Sequence, residues 1–127
     1  VGSNGSGTNN MICYAFAEVE NFSSIGTYTA NGSTDGPFIY TGFKPAFIMT
    51  KRTDSTGDWT MVDSERSAYN LVENALFANL TDLEDTTGDR MDILSNGFKL
   101  RTTAQPNVGT LIYMAFAETP FKTATAR

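Results

Sequence analysis

From residue 10 onward the apolar positions fall in short alternating runs, each closed by Gly, Asp, Asn or Ser. Period-two alternation is the mark of strands and such punctuation the mark of turns. The pattern predicts strands at 10–18, 25–31, 37–41, 45–52, 58–63, 91–95, 97–102 and 109–118. The loop "TDSTG" between 45–52 and 58–63 has the Asp, Ser and Gly that suit a hairpin, and "NGSTDG" and "SNG" read as further turns. The stretch from Ser64 to Arg90 keeps no period; it reads as a long surface excursion with a helical turn across Tyr69 to Phe77. The expected architecture is all-β: a two-sheet antiparallel β-sandwich, jelly-roll or concanavalin-like, with one long irregular loop. Residues 1–9 read as a linker or the end of a preceding repeat, 10–122 as a single sandwich domain and 123–127 as a tail.

Two of these segments are nearly one sequence. "MICYAFAE" at 11–18 returns as "LIYMAFAE" at 111–118, with Ile12, Ala15, Phe16, Ala17 and Glu18 matched at a constant offset of 100. The offset suggests the last strand of one repeat followed by a complete repeat; the other reading is that the two strands pair within a single sandwich. In both copies the two faces are apolar, Met11, Cys13, Ala15 and Ala17 against Ile12, Tyr14 and Phe16. A sandwich strand with a solvated face alternates instead, so a second cover is required. The candidates are the 64–90 excursion and a neighbouring repeat or subunit. Ile12, Tyr14, Phe16, Ile112, Met114 and Phe116 are the expected oligomer contacts.

Composition narrows the chemistry. The chain has no histidine, which excludes histidine-based triads and imidazole metal sites within it. Fourteen Asp and Glu face nine Lys and Arg, giving a charge of -5 with the cations scattered, so no footprint for nucleic acid exists. No apolar run approaches the roughly 20 residues that cross a bilayer, and the expectation is a soluble protein without a membrane partner. Cys13, the single cysteine, lies in an apolar run without a nearby base and reads as a buried structural thiol. Asn4, Asn21, Asn31 and Asn79 begin Asn-x-Ser/Thr triplets, which a chain this rich in Asn, Ser and Thr produces by chance.

Three groups of residues are candidates for binding or chemistry. The acidic run Asp82, Glu84, Asp85, Asp89, Asp92 offers hard oxygens but lacks EF-hand spacing, so it reads as a solvated loop with no metal and no cofactor. Asp54 with Asp58, or Asp63 with Glu65, are carboxylate pairs of the kind a glycosidase needs, yet any chain with so many carboxylates offers such pairs. Trp59, with Arg52, Asp54 and Asp58 near it and with Arg66 and Tyr69 at the start of the excursion, is the candidate ligand platform. Its plainer reading pairs Trp59 with Met61 as inward core residues, and Arg66 with Tyr69 as a surface tether.

The strings "GTYTANGSTDGPFIYTGFKPAFIMTKRTDSTGDW", "LSNGFKLR" and "LIYMAFAETPFK" resemble repeat units of phage virion proteins of the tail-fibre and receptor-binding type. In such proteins these units sometimes stand beside concanavalin-like (LamG) domains. The resemblance runs from about residue 11 to 122, departing at Ala30, where Gly is the expected residue. It implies a β-sandwich in a virion and brings no catalytic residues. The expected function is therefore a non-enzymatic structural or adhesion domain in a tail or surface fibre involved in host attachment. Its partners would be copies of itself or other virion proteins, with host surface glycan as a further ligand. A carbohydrate-binding module or depolymerase fragment is the alternative, and a head-decoration protein the third.

Overall fold

The computed structural model describes residues 12–120. Eight strands follow in order: β1 Ser23–Thr29, β2 Phe38–Tyr40, β3 Pro45–Arg52, β4 Trp59–Asp63, β5 Leu76–Phe77, β6 Met91–Leu94, β7 Gly97–Leu100 and β8 Thr110–Ala117. They form a five-stranded sheet ordered β1-β8-β3-β4-β5 and a three-stranded sheet ordered β2-β7-β6. Every pairing is antiparallel, and the described residues contain no helix. The expected all-β, two-sheet sandwich is what the chain builds.

The core lies where the two inner faces meet. Tyr28, Ile48, Val62, Leu111, Tyr113 and Ala115 point inward from the larger sheet, and Ile39, Met91, Ile93, Phe98 and Leu100 from the smaller; all are buried. Phe98 joins the layers, its ring edge-on to Tyr113 at 5.6 Å and to Tyr28 at 6.2 Å. Tyr28 also donates its hydroxyl to the Pro106 carbonyl at 2.8 Å, so its buried polar end is satisfied. Where Tyr113 crosses β1 the backbone must be bare, since a Cβ on Gly26 would stand 2.9 Å from the Tyr113 ring.

The excursion from Ser64 to Arg90 has no helical turn at 69–77. It forms a side wall instead, running from β4 to β6 and closing the sandwich along that edge. Val72 bridges Met91 and Ala75 bridges Asp85, and Val72 and Ala75 are fully buried. Asn70 acts as a substitute strand for β6, donating Nδ2 to the Ile93 carbonyl at 2.8 Å and accepting the Ile93 amide on Oδ1 at 2.9 Å. Arg90, itself buried, reaches the Glu73 carbonyl and the Asp85 carboxylate. These bonds commit the loop to the edge, where Leu76 and Phe77 add β5 to the larger sheet.

The segment expected as the first strand is not one. Residues 12–18 carry no strand structure, and Ile12, Tyr14 and Phe16 are 80%, 77% and 55% exposed. The interior position between β1 and β3, which suits a strand apolar on both faces, is filled by its echo, β8. The two copies therefore do not pair, and Phe16 and Phe116 are not in equivalent environments. Cys13 is likewise exposed rather than buried. Residues 10 and 11 lie outside the described part, and the expected 10–18 strand is corrected for 12–18.

Candidate functional site

Strand pleating sends alternate residues of the larger sheet outward, and the register shows what they form. Ile25, Met114, Met49, Met61 and Leu76 stand opposite one another across all five strands. On one side of this row lie Phe116 and Phe47, and on the other Ile112, Lys51 and Trp59. The outer face is thus apolar along its central row, with Ser23, Thr27, Lys51 and Asp63 on the flanking rows. Its apolar residues are half-buried apart from Trp59, which is 37% exposed.

The chain covers this surface in part. Residues 12–18 lie against it, with the Phe16 ring 5.8 Å from that of Phe116, which also meets Phe22 at 5.9 Å and Phe47 at 6.3 Å. The segment is tied down at its end: Ser23 Oγ donates to the Ala17 carbonyl at 2.8 Å, and the Ile25 amide donates to Glu18 at 3.0 Å. Between Tyr14, Phe16 and the sheet a cleft of about 650 Å³ remains, bounded by Ile25, Met49, Trp59, Ile112 and Met114. Hence five of the six expected oligomer contacts lie on one side of the molecule, Ile112, Met114 and Phe116 in the sheet and Tyr14 and Phe16 above it, while Ile12 is exposed in the same segment. Ile25, Phe47, Met49, Met61 and Leu76 were missed.

The six expected ligand residues are not brought together. Trp59 faces outward beside Lys51, with Met61 one row further along, so the two are not core residues; the inward side chains of β4 are Thr60 and Val62. Arg52 falls on the opposite parity from Lys51 and holds Asp54 at 2.6 Å, both against Gly109. Asp58 accepts from Asn79 Nδ2 at 2.9 Å, and Asn79 Oδ1 accepts the Trp59 amide at 2.8 Å, so this carboxylate fastens the hairpin to the loop after β5. Arg66 bonds Asp63 at 2.7 Å and Glu84 at 3.2 Å, as a tether would. Tyr69 is 87% exposed.

The carboxylates of the acidic run are largely committed too. The Thr87 hydroxyl and amide, with Arg90 beside them, hold the Asp85 carboxyl below its ordinary value of 3.8. Glu84 is on Arg66, and Asp92 accepts from Arg101 at 2.6 Å. Among the described residues no three His, Cys, Asp or Glu gather where they would hold a metal ion. The Arg52 hydrogen bond holds Asp54 below its ordinary value, which fits an ion pair better than a general acid.

A family model described as a domain of unknown function, DUF7483, matches residues 1–120. No curated protein and no solved structure matches the chain.

Proposed function

Because the chain belongs to the DUF7483 family, a domain of unknown function, its surface is the guide to its role, and we propose a non-enzymatic structural or adhesion domain of a bacteriophage virion. Its place would be a tail fibre or related surface fibre that takes part in host attachment. The observation that carries the reading is the apolar row Ile25, Met114, Met49, Met61, Leu76 on the outer face of a sheet already packed on its inner face. An apolar surface of this extent marks a contact with another macromolecule. In a fibre, that contact is another copy or another virion protein, and closed symmetry multiplies weak receptor contacts at the tip. The virion placement rests on the resemblance of the 26–59, 94–101 and 111–122 strings to tail-fibre repeats.

Glycan binding has less support. The cleft under Tyr14 and Phe16 is bounded by Trp59 and otherwise by aromatic and aliphatic side chains, with no charged residue among them, and sugar recognition needs convergent polar groups as well. The test is immunogold labelling of particles that encode the chain. Antibody against the domain should decorate surface fibres; label confined to lysed cells, with bare particles, would reject the virion placement.

A further inference from the structure

The segment Ile12–Glu18 duplicates a strand whose place in its own sheet is already taken. We propose that it is the β8 strand of another copy of this fold, the copy immediately preceding it along the polypeptide, and that consecutive copies therefore follow one another directly from the β8 of one to the β1 of the next. The fit can be followed residue by residue. β8 places Leu111, Tyr113 and Ala115 inward and Ile112, Met114 and Phe116 outward. At the corresponding positions the segment has Cys13 and Ala15, and Ile12, Tyr14 and Phe16. Ala115 is fully buried where β8 passes Ser24 and Ile48, so that position demands a small residue, and Ala15 supplies it. Glu118 bonds Lys44 through its side chain at 2.7 Å and donates its amide to the Lys44 carbonyl at 2.9 Å; Glu18 is its match.

Occupancy selects the recipient. A second molecule of this chain offers no vacancy, because its own β8 fills the slot between β1 and β3. The slot is open only in a copy whose chain runs from its β7 side directly into residue 11. One mismatch identifies that copy further. Tyr113 bonds Ser24 Oγ at 3.0 Å and lies so close to Gly26 that β1 has no room for a side chain there. Cys13 in the same place leaves that space empty. The recipient is thus a sister copy with a larger residue at the Gly26 position. The short connection from Glu18 to Phe22 then sets the two sandwiches in contact. It also lifts Tyr14 and Phe16 off the outer face, leaving Ile25 and Met114 to meet a neighbour. This inference does not depend on the virion placement.

A fused chain tests it: residues 19–109 joined directly to 10–127, so that 10–18 stands where 110–118 would. Its control is 19–118 joined to 10–127, in which the first copy keeps its own β8. The first fusion carries Gly26→Ala in its leading copy to fill the space beside Cys13; a second version carries Cys13→Tyr with Gly26 retained. In the single chain Cys13 is exposed and should react freely with an aromatic disulfide reagent. The expected result is two folded copies by amide exchange, with the thiol–disulfide exchange of Cys13, and in the tyrosine version exchange of the 12–18 amides, slowed more than about 100-fold relative to the control. The proposal is overturned if both copies of the control fold while the leading copy stays unfolded in both test versions. It is equally overturned if residues 12–18 react and exchange at the control rate.

Discussion

Phe98 and Phe116 are both aromatic residues of central strands, and the two-layer architecture predicts different penalties for removing them. Phe98 is fully buried and edge-on to Tyr28 and Tyr113 at 6.2 and 5.6 Å. Its replacement by Ala opens a closed cavity between the sheets, at a cost of about 3–5 kcal/mol. The loss of two edge-on pairs, each about 0.5–1.5 kcal/mol, places it at the upper end of that range. Phe116 is only half-buried. Its site opens toward solvent, so there is little cavity term, and Phe116→Ala should cost about 1.5–2.5 kcal/mol. For a domain of this size, 1 kcal/mol moves the melting temperature by roughly 3–6 °C, so Phe98→Ala should fall by about 12–30 °C and Phe116→Ala by about 5–15 °C. Urea unfolding, with the m-value checked for constancy, measures both. Should Phe98→Ala leave too little folded protein, Phe98→Leu, at about 1–2 kcal/mol, keeps the comparison open. Equal penalties, or a larger one at Phe116, would refute the assignment of inner and outer faces.

Other outcomes follow from the polar groups. Asn70→Ala removes both bonds to Ile93 and should cost about 1–2 kcal/mol, with amide exchange in β6 rising selectively; uniform exchange would deny Asn70 its role at the edge. Thermal unfolding should be indifferent to EDTA, and a drop of several degrees would reveal a bound cation. Burial pushes the Tyr28 phenol above its ordinary value of 10.0, so stability is full below pH 10.0 and is lost as pH rises beyond it, when the unfolded chain ionises first. Tyr28→Phe should move the alkaline transition upward, and an unmoved transition would contradict that. At the acid end, the hydrogen bond from Lys99 holds Asp35 below its ordinary value of 3.8 and that from Arg52 holds Asp54 below it. Their contribution is present above pH 3.8 and lost as pH falls through the folded values; Asp35→Asn should flatten this limb.

The sequence was most legible where turn chemistry and alternation agree. The hairpin of β3 and β4 was readable because "TDSTG" separates two strongly patterned runs, and Gly97–Leu100 because "SNG" precedes it. The 12–18 segment misled for a long-range reason: its local pattern is that of β8, and nothing local decides which copy occupies the slot. Trp59 and Met61 were assigned to the wrong side because both faces of β4 carry apolar residues, so alternation gives a period but no direction. In the excursion, Val72 and Ala75 reach the core as single residues in a polar context, and β5 is two residues long, too short for any period to register. Of the candidate site, the β8 half was visible in the echo. The rows contributed by β1, β3, β4 and β5 required the register, which only the sheet provides.

The central claim is that the outer face of the larger sheet is a contact surface, and sedimentation of the chain over a wide concentration range tests it most directly, with Met49→Lys and Met114→Lys in parallel. Both side chains are half-buried in the middle of the apolar row. The prediction is concentration-dependent association of the unsubstituted chain that either lysine abolishes, with melting temperatures within a few degrees of it because the inner core is untouched. A chain that is monomeric at every concentration, with sedimentation unchanged by either substitution, would contradict the claim.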